Sequence, residues 1–286
     1  EGYTTDLIGR EAVRIINEHP ANRPLFLYVP FNAPHTPLQA PEDDLAAYAD
    51  WKNRDRAMYA AMVSSLDDAV GEILDAAAPM IEAGNTLIFF CSDNGGVPRL
   101  GSNGEFRAGK GTLYEGGVRV PAVMSWPGKL PAGGEVDEPM HIVDLFPTLL
   151  QLTHMAPLPA KPLDGRDVWP TIAQGEPSPH AFLLHNLTPF SAALRMGDWK
   201  LLRNGGLGAN AIRGPKDDTW ELFNIVEDPH EQHDVAAENP EVIARLKAQL
   251  EALAAEAAPP HLLENQPPAG FRVPAVWGES SGPAAR

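Results

Sequence analysis

Five apolar residues in a row, Leu87, Ile88, Phe89, Phe90 and Cys91, run straight into the turn formers Ser92, Asp93, Asn94, Gly95 and Gly96. Aromatic and β-branched side chains favour the pleated strand, so the stretch predicts a buried strand closed by a polar turn. In open α/β sheets ligands collect beyond the carboxyl ends of the strands, which makes oxygen-bearing side chains placed there candidates for a site. Asp93 and Asn94 are in that place.

A carboxylate and an amide oxygen suit a hard cation such as Ca²⁺ or Mg²⁺, and no Cys/His cluster of zinc spacing occurs in the chain. Taken alone, Asp-Asn-Gly-Gly also reads as a turn, because Asx and Gly populate turns for conformational reasons. Further on, Lys110 stands between Gly109 and Gly111, and Glu115-Gly116-Gly117 follow. Glycines on both sides of a cation let the backbone approach an anionic group, to whose oxygens Lys offers a point charge.

Other elements can be placed around this stretch. Leu7, Ile8, Val13, Ile15 and Ile16 predict an amphipathic helix capped by Thr5 or Asp6 and ended near His19-Pro20. Residues 25–31 are a β-rich run stopped by Asn32-Ala33-Pro34, after which His35 is held between Pro34 and Pro37, so its imidazole is presented from a stiff loop. Met58, Met62, Val63, Leu66, Val70, Ile73, Leu74 and Ala77 recur at helical spacing over residues 54–78, with Pro79 beyond the end. Asp67 and Asp68 read as its solvated face.

Residues 118–126 predict another strand, at an edge because of Pro121, and Asp144 reads as the cap of a helix carrying Pro147 in its first turn. The proline-dense residues 156–180 predict a connecting segment over the surface. After it the pattern changes to short strands: Ala193 to Met196, then Gly197-Asp198 as a hairpin turn, then residues 199–203, with 220–224 as a further strand and 240–254 as a closing helix. The domain expectation is therefore a larger α/β part over 1–178, a small α+β part over 179–258, and an extended Pro/Gly-rich tail over 259–286.

In this order the motifs resemble one family. SDNGG followed by GKGTLYEGGVRVP, with FLYVPFNAPHTPLQAP before it and LDGRDV, ALRMGDWKLLRN and ELFNIVEDPHE after it, is similar to the second half of the type I sulfatases, especially the arylsulfatase B-like branch. The resemblance covers most of residues 1–250. It implies an alkaline-phosphatase-like sheet flanked by helices, Ca²⁺ held by Asp93 and Asn94, and His35 and Lys110 binding the sulfate and assisting the departing oxygen. It also implies a formylglycine nucleophile, and the Cys/Ser-X-Pro-X-Arg motif that carries it is absent here, since Cys91 is followed by Ser92-Asp93-Asn94. The nucleophile is therefore expected in an N-terminal half of the same enzyme, and a periplasmic or secreted location follows from the family alone. Two other readings stay open: a non-catalytic cation- or sulfated-glycan-binding module, and a phosphoesterase or phosphonate hydrolase of the same superfamily.

Composition narrows the partners. A formal net charge of −16 leaves no basic stripe for a nucleic acid. An anionic substrate would need local help from Lys110 and a cation. No apolar run approaches the length of a membrane span, and the single cysteine, Cys91, reads as a buried structural thiol.

Overall fold

The computed structural model describes residues 2–155, 162–188, 190–207 and 214–257. Helix α1 (Thr4–Glu18) buries Thr5, Gly9, Ala12 and Ile16, one stripe at spacings of three and four. Its N-cap is Tyr3, with no side-chain cap bond, so neither Thr5 nor Asp6 plays the expected capping part. Thr5 is buried instead. After the short helix α2 (Glu42–Ala46), α3 (Arg54–Glu82) packs on α1 and buries Ala57, Ala61, Ser65 and Ala69. These side chains are small, so the helices come close: a Cβ on Gly9 would lie 3.0 Å from Ala69 Cβ. Asn53 caps α3 by accepting from the Arg56 N–H at 3.1 Å. Pro79 lies inside the helix and not beyond it; the chain leaves the helix only at Gly84, whose φ of +77° suits glycine.

Strand β1 (Ile88–Cys91) forms where expected, but it is not buried. It pairs antiparallel with β2 (Ala122–Ser125), and this sheet has two strands, with Pro121 just ahead of β2. The directly opposed Phe90 and Val123 are 46% and 63% exposed. Between the two strands lies the one-turn helix α4 (Glu115–Val118). Residues 25–31 are extended but unpaired, leaving Phe26 and Tyr28 more than three-quarters exposed. Strand propensity describes side chains that fit a covered pleated surface and supplies no partner for the backbone, and here no described residue provides one.

Helix α5 (Leu145–Leu152) is entered through a 3₁₀ turn over Ile142–Asp144. His141 caps that turn by accepting from the Val143 N–H, and Asp144 returns the favour by accepting from the His141 N–H at 2.7 Å. Asp144 also accepts from the Arg166 N–H and pairs with His180 Nε2, both at 2.9 Å, so both His141 and Asp144 are structural. The described part of the proline-dense segment is not a connector laid over the surface. It forms helix α6 (Trp169–Gln174), buries Val168 and Thr171, and lays Trp169 on Trp126 with ring centroids 5.6 Å apart.

The carboxy-terminal sheet runs in sequence order: β3 (Leu183–Leu187), β4 (Ala192–Met196), β5 (Trp199–Arg203) and β6 (Trp220–Asn224), all antiparallel. The Gly197-Asp198 turn falls where the sequence places it, with Gly197 at φ +57°. Both faces are covered, and alternate residues sort between them. Leu194, Leu201 and Leu222 meet Leu246 and Leu250 of helix α7 (Pro240–Glu256). Ala193, Leu202 and Phe223 meet Leu113 and Tyr114, which immediately precede α4. The polypeptide that follows Lys110 is thereby clamped on the small sheet. The tail expected over 259–286 lies outside the described residues.

Candidate active site

Two turns meet back to back at the carboxyl end of β1. The Gly95 N–H donates to Gly117 O at 3.0 Å, the Lys110 N–H donates to Gly96 O at 3.1 Å, and the Gly116 N–H donates to Arg107 O at 2.9 Å. The glycines are required by this approach and not by backbone dihedrals. A Cβ on Gly95 would stand 1.8 Å from Gly116 O, and one on Gly109 would stand 2.3 Å from Gly96 O. Asn103 locks the pair: its Oδ1 accepts from the Gly96 N–H at 2.7 Å, while its Nδ2 donates to Gly96 O at 3.0 Å and Ala108 O at 2.9 Å. Asp93, Asn94 and Lys110, separate in the sequence, thus belong to one backbone-locked unit.

Their functional atoms are left free. Asn94 uses its Nδ2 on Gly95 O at 3.1 Å, which leaves Oδ1 unengaged, and the Asp93 carboxylate has no hydrogen bond or ion pair among the described residues. Over residues 99–119 the other cations are matched: Arg99 with Asp55 at 3.7 Å, Arg107 with Glu221 at 3.1 Å, Arg119 with Glu115 at 3.8 Å. Lys110 is exposed and has no carboxylate partner among the described residues. In a chain of charge −16 it is the cation of this loop left to meet an anion. Asp93 and Asn94 fit a hard cation as two oxygen donors of a larger set; among the described residues no group of three or more His, Cys, Asp or Glu could hold a metal ion.

His35 stands apart. Its Nδ1 donates to the Thr36 carbonyl at 2.8 Å, which leaves Nε2 free, and its N–H donates to Asn32 O at 2.9 Å. Both flanking prolines, Pro34 and Pro37, follow cis peptide bonds. No hydrogen bond or ion pair among the described residues ties it to the unit of Asp93 and Lys110. Cys91 is half-buried, and burial followed by the neighbouring Asp93 charge pushes its thiol pKa up, the opposite of what a nucleophile needs.

Sequence reading missed the supports behind the loop. Besides Asn103 these are the buried Glu115, Lys200 and Glu231, and the group in which Arg107 lies 3.9 Å over the Tyr114 ring while the Tyr114 hydroxyl donates to Glu221. GKGTLYEGG, DWKLL and DPHE contain several of them, but nothing in the spacing of those runs says that they meet.

The turn after β1, the glycine-flanked Lys110 and the small antiparallel sheet behind them form one α/β unit. The sulfatase family model matches residues 1–155, more than half of the chain, and the chain belongs to the sulfatase family. It is 32% identical to arylsulfatase J of Mus musculus over 96% of this chain and 53% of that protein. It is 36% identical to N-acetylgalactosamine-6-sulfatase of Homo sapiens over 61% of this chain and 33% of that protein. Among solved structures, Ps i-CgsB in complex with k-i-k-neocarrahexaose aligns with a TM-score of 0.75 at 36% identity, covering 88% of this chain and 55% of that one. The chain spans at most about half the length of these relatives.

Proposed function

We propose that this chain supplies the cation- and sulfate-binding part of a sulfatase active centre that hydrolyses a sulfate ester, with a sulfated glycan as the substrate class. The observation that carries the proposal is Lys110, without a carboxylate partner among the described residues, joined through its own N–H to Gly96 O and so to the turn that presents Asp93 and Asn94, whose carboxylate and Oδ1 have no partner among those residues either. Solved relatives with sugar ligands support a glycan, as in the k-i-k-neocarrahexaose complex of Ps i-CgsB. Residues 1–178 would be the catalytic α/β part and 179–258 the small α+β part.

In this reading Lys110 holds the sulfate oxygens and opposes the negative charge that grows on them as the S–O bond breaks. His35, when protonated on both ring nitrogens, gives its Nε2 proton to the departing alcohol oxygen, while its Nδ1–H bond to Thr36 O holds the ring in place for that transfer. Asp93 and Asn94 would hold Ca²⁺, with Mg²⁺ the less suited ion, and the cation when bound would neutralise charge on the sulfate. The formylglycine of the family has no residue in this chain: no Cys or Ser is followed by X-Pro-X-Arg, and Cys91 is a strand residue with a raised pKa. The nucleophile would come from an N-terminal half of the same enzyme.

The test is turnover of an activated aryl sulfate and of the matching aryl phosphate by this chain joined to a half that carries the nucleophile motif. Sulfate turnover should predominate and should fall about a hundredfold or more in Lys110→Ala, the usual scale for losing one group that stabilises a developing anion. Turnover of the phosphate alone, or a Lys110→Ala enzyme as active as the parent, would overturn the assignment.

A further inference from the structure

Behind the loop of Lys110, three ionisable side chains are shut away from water. Lys200 in the middle of β5 and Glu231 beyond β6 are fully buried, and Glu115, the first residue of α4, is 3% exposed. The Lys200 ammonium donates to Glu115 Oε1 at 2.7 Å. It also stands 2.9 Å from Glu231 Oε1, within ion-pair distance. Glu231 Oε2 accepts from the Glu115 N–H at 2.6 Å. One lysine thus faces two carboxylates; Arg119 stands 3.8 Å from Glu115 Oε2, and Arg107 Nη1 donates to the Glu231 backbone carbonyl at 3.1 Å.

Such a cluster is a poor way to gain stability, since desolvating buried ions often costs as much as their pairing returns, and apolar residues of similar size do as well. Its position offers another use. Glu115 is followed directly by Gly116 and Gly117, whose carbonyls set the approach of Gly95: one accepts the Gly95 N–H and the other occupies the space of a Gly95 Cβ. On the other side of Glu115, the Leu113 N–H donates to Gly205 O at 2.8 Å, and Tyr114 is held by Glu221 and Arg107. The stretch between Lys110 and Gly117 is therefore anchored from the small sheet, with Lys200 at the centre of the anchor.

We propose that Lys200 is a positioning residue of the active centre: through Glu115, and backed by Glu231, it fixes residues 115–117 against Gly95 and thereby sets the spacing between the Asp93-Asn94 turn and Lys110. Its effect on turnover rests on the sulfatase reading; the mechanical link does not. The small sheet is then a working part of the centre, which explains why a side chain of β5 places its charge under a loop 85 positions earlier in the chain.

The experiment has two arms. In the 286-residue chain, hydrogen exchange is compared at residues 93–97 and 109–118 and, as internal control, in the ladder of β4 and β5, for the parent, Lys200→Met and Glu231→Gln. Glu231→Gln keeps the side-chain shape and serves if Lys200→Met does not fold. Protection should fall about tenfold or more at the first two segments while the ladder keeps its own, the signature of local opening. Equal loss in all three segments, meaning a merely structural role, or no loss in any, would overturn the proposal. In the enzyme completed with its nucleophile, kcat on an aryl sulfate should fall by about a hundredfold in Glu231→Gln, the scale of a roughly 1 Å misplacement, with KM changed much less. Unchanged kcat would also overturn it, whereas a parent enzyme inert to sulfate esters would remove the sulfatase reading and leave the exchange arm to decide the mechanical link.

Discussion

His185 shows how a single buried atom can govern the response of the protein to acid. It lies in β3, and although part of the residue reaches the surface, its ring Nε2 is out of solvent and has no partner among the described residues. Burial, then the Lys200 charge, then His141 and Arg195 lower its pKa to about 3. Unfolded, the ring titrates near 6.5. A base whose folded-state pKa is lowered contributes its full stability above the unfolded value and loses it as pH falls from about 6.5 towards 3, because the unfolded chain takes up the proton that the folded chain refuses. The loss is at most ~1.4 kcal/mol per pH unit over that window. Glu231 works in the other direction: burial outweighs the Lys200 charge and raises its pKa, so its contribution is present below the ordinary carboxylate value and is lost as pH rises through the folded one. The two effects oppose each other in the parent protein, so the comparison to make is with His185→Gln. Denaturant melts at pH 7 and pH 5 should show the parent losing stability relative to the variant by about 1 to 2 kcal/mol on acidification. Parallel behaviour of the two proteins would mean that the ring is protonated in the folded state.

Among the elements, those that depend on neighbouring residues were legible and those that depend on distant ones were not. The β4–β5 hairpin follows from Gly197-Asp198 between two apolar runs, α1 and α3 from their periodicity, and the entry to α5 from Asp144. By contrast β3, which contains His185 and Asn186, is a strand because β4 offers it a ladder. The apolar runs at 25–31 and in β1 carry strand propensity without the covering layers that burial requires. At the site, the residue types of Asp93, Asn94 and Lys110 could be read, but their junction could not. The Glu115–Glu231 bond joins residues 116 positions apart, and nothing in the run around Asn103 marks it as the residue that makes three bonds across the turns. That junction makes a sharp prediction. Gly95→Ala puts a methyl group 1.8 Å from Gly116 O, with backbone on both sides, so one turn must move away from the other. Overpacking of this kind costs about 1 to 3 kcal/mol, and the melting temperature should fall accordingly. Calorimetry with CaCl₂ should show any binding by Asp93 and Asn94 weakened or lost, and unchanged stability would mean that the two turns are not in contact.

At the scale of the whole molecule, the apolar surface left open is as informative as the core. Phe26 and Tyr28 in the unpaired extended run, and Phe90 opposite Val123 on the two-stranded sheet, are 81%, 77%, 46% and 63% exposed. These are strand-type residues with uncovered faces, and the family's alkaline-phosphatase-like sheet is where such residues would be paired and covered. Chemistry makes the same demand: in the proposed reading His35 and Lys110 bind a sulfate and assist its departure, yet no Cys or Ser of the sequence is followed by X-Pro-X-Arg, and His35 is not tied to the unit of Lys110 by any described contact. We therefore predict that residues 1–286 alone do not turn over an activated aryl sulfate, and that turnover appears when they are joined to the half bearing the nucleophile motif. An enzyme without its nucleophile keeps only binding and electrostatic terms, a small remainder of the full rate. Joining should also increase protection from hydrogen exchange in residues 25–31 and 88–91, since paired and covered strands exchange slowly. Robust metal-dependent turnover by the 286 residues alone would refute the need for a second half. Turnover gained without new protection at residues 25–31 would place the added half somewhere other than on this open face.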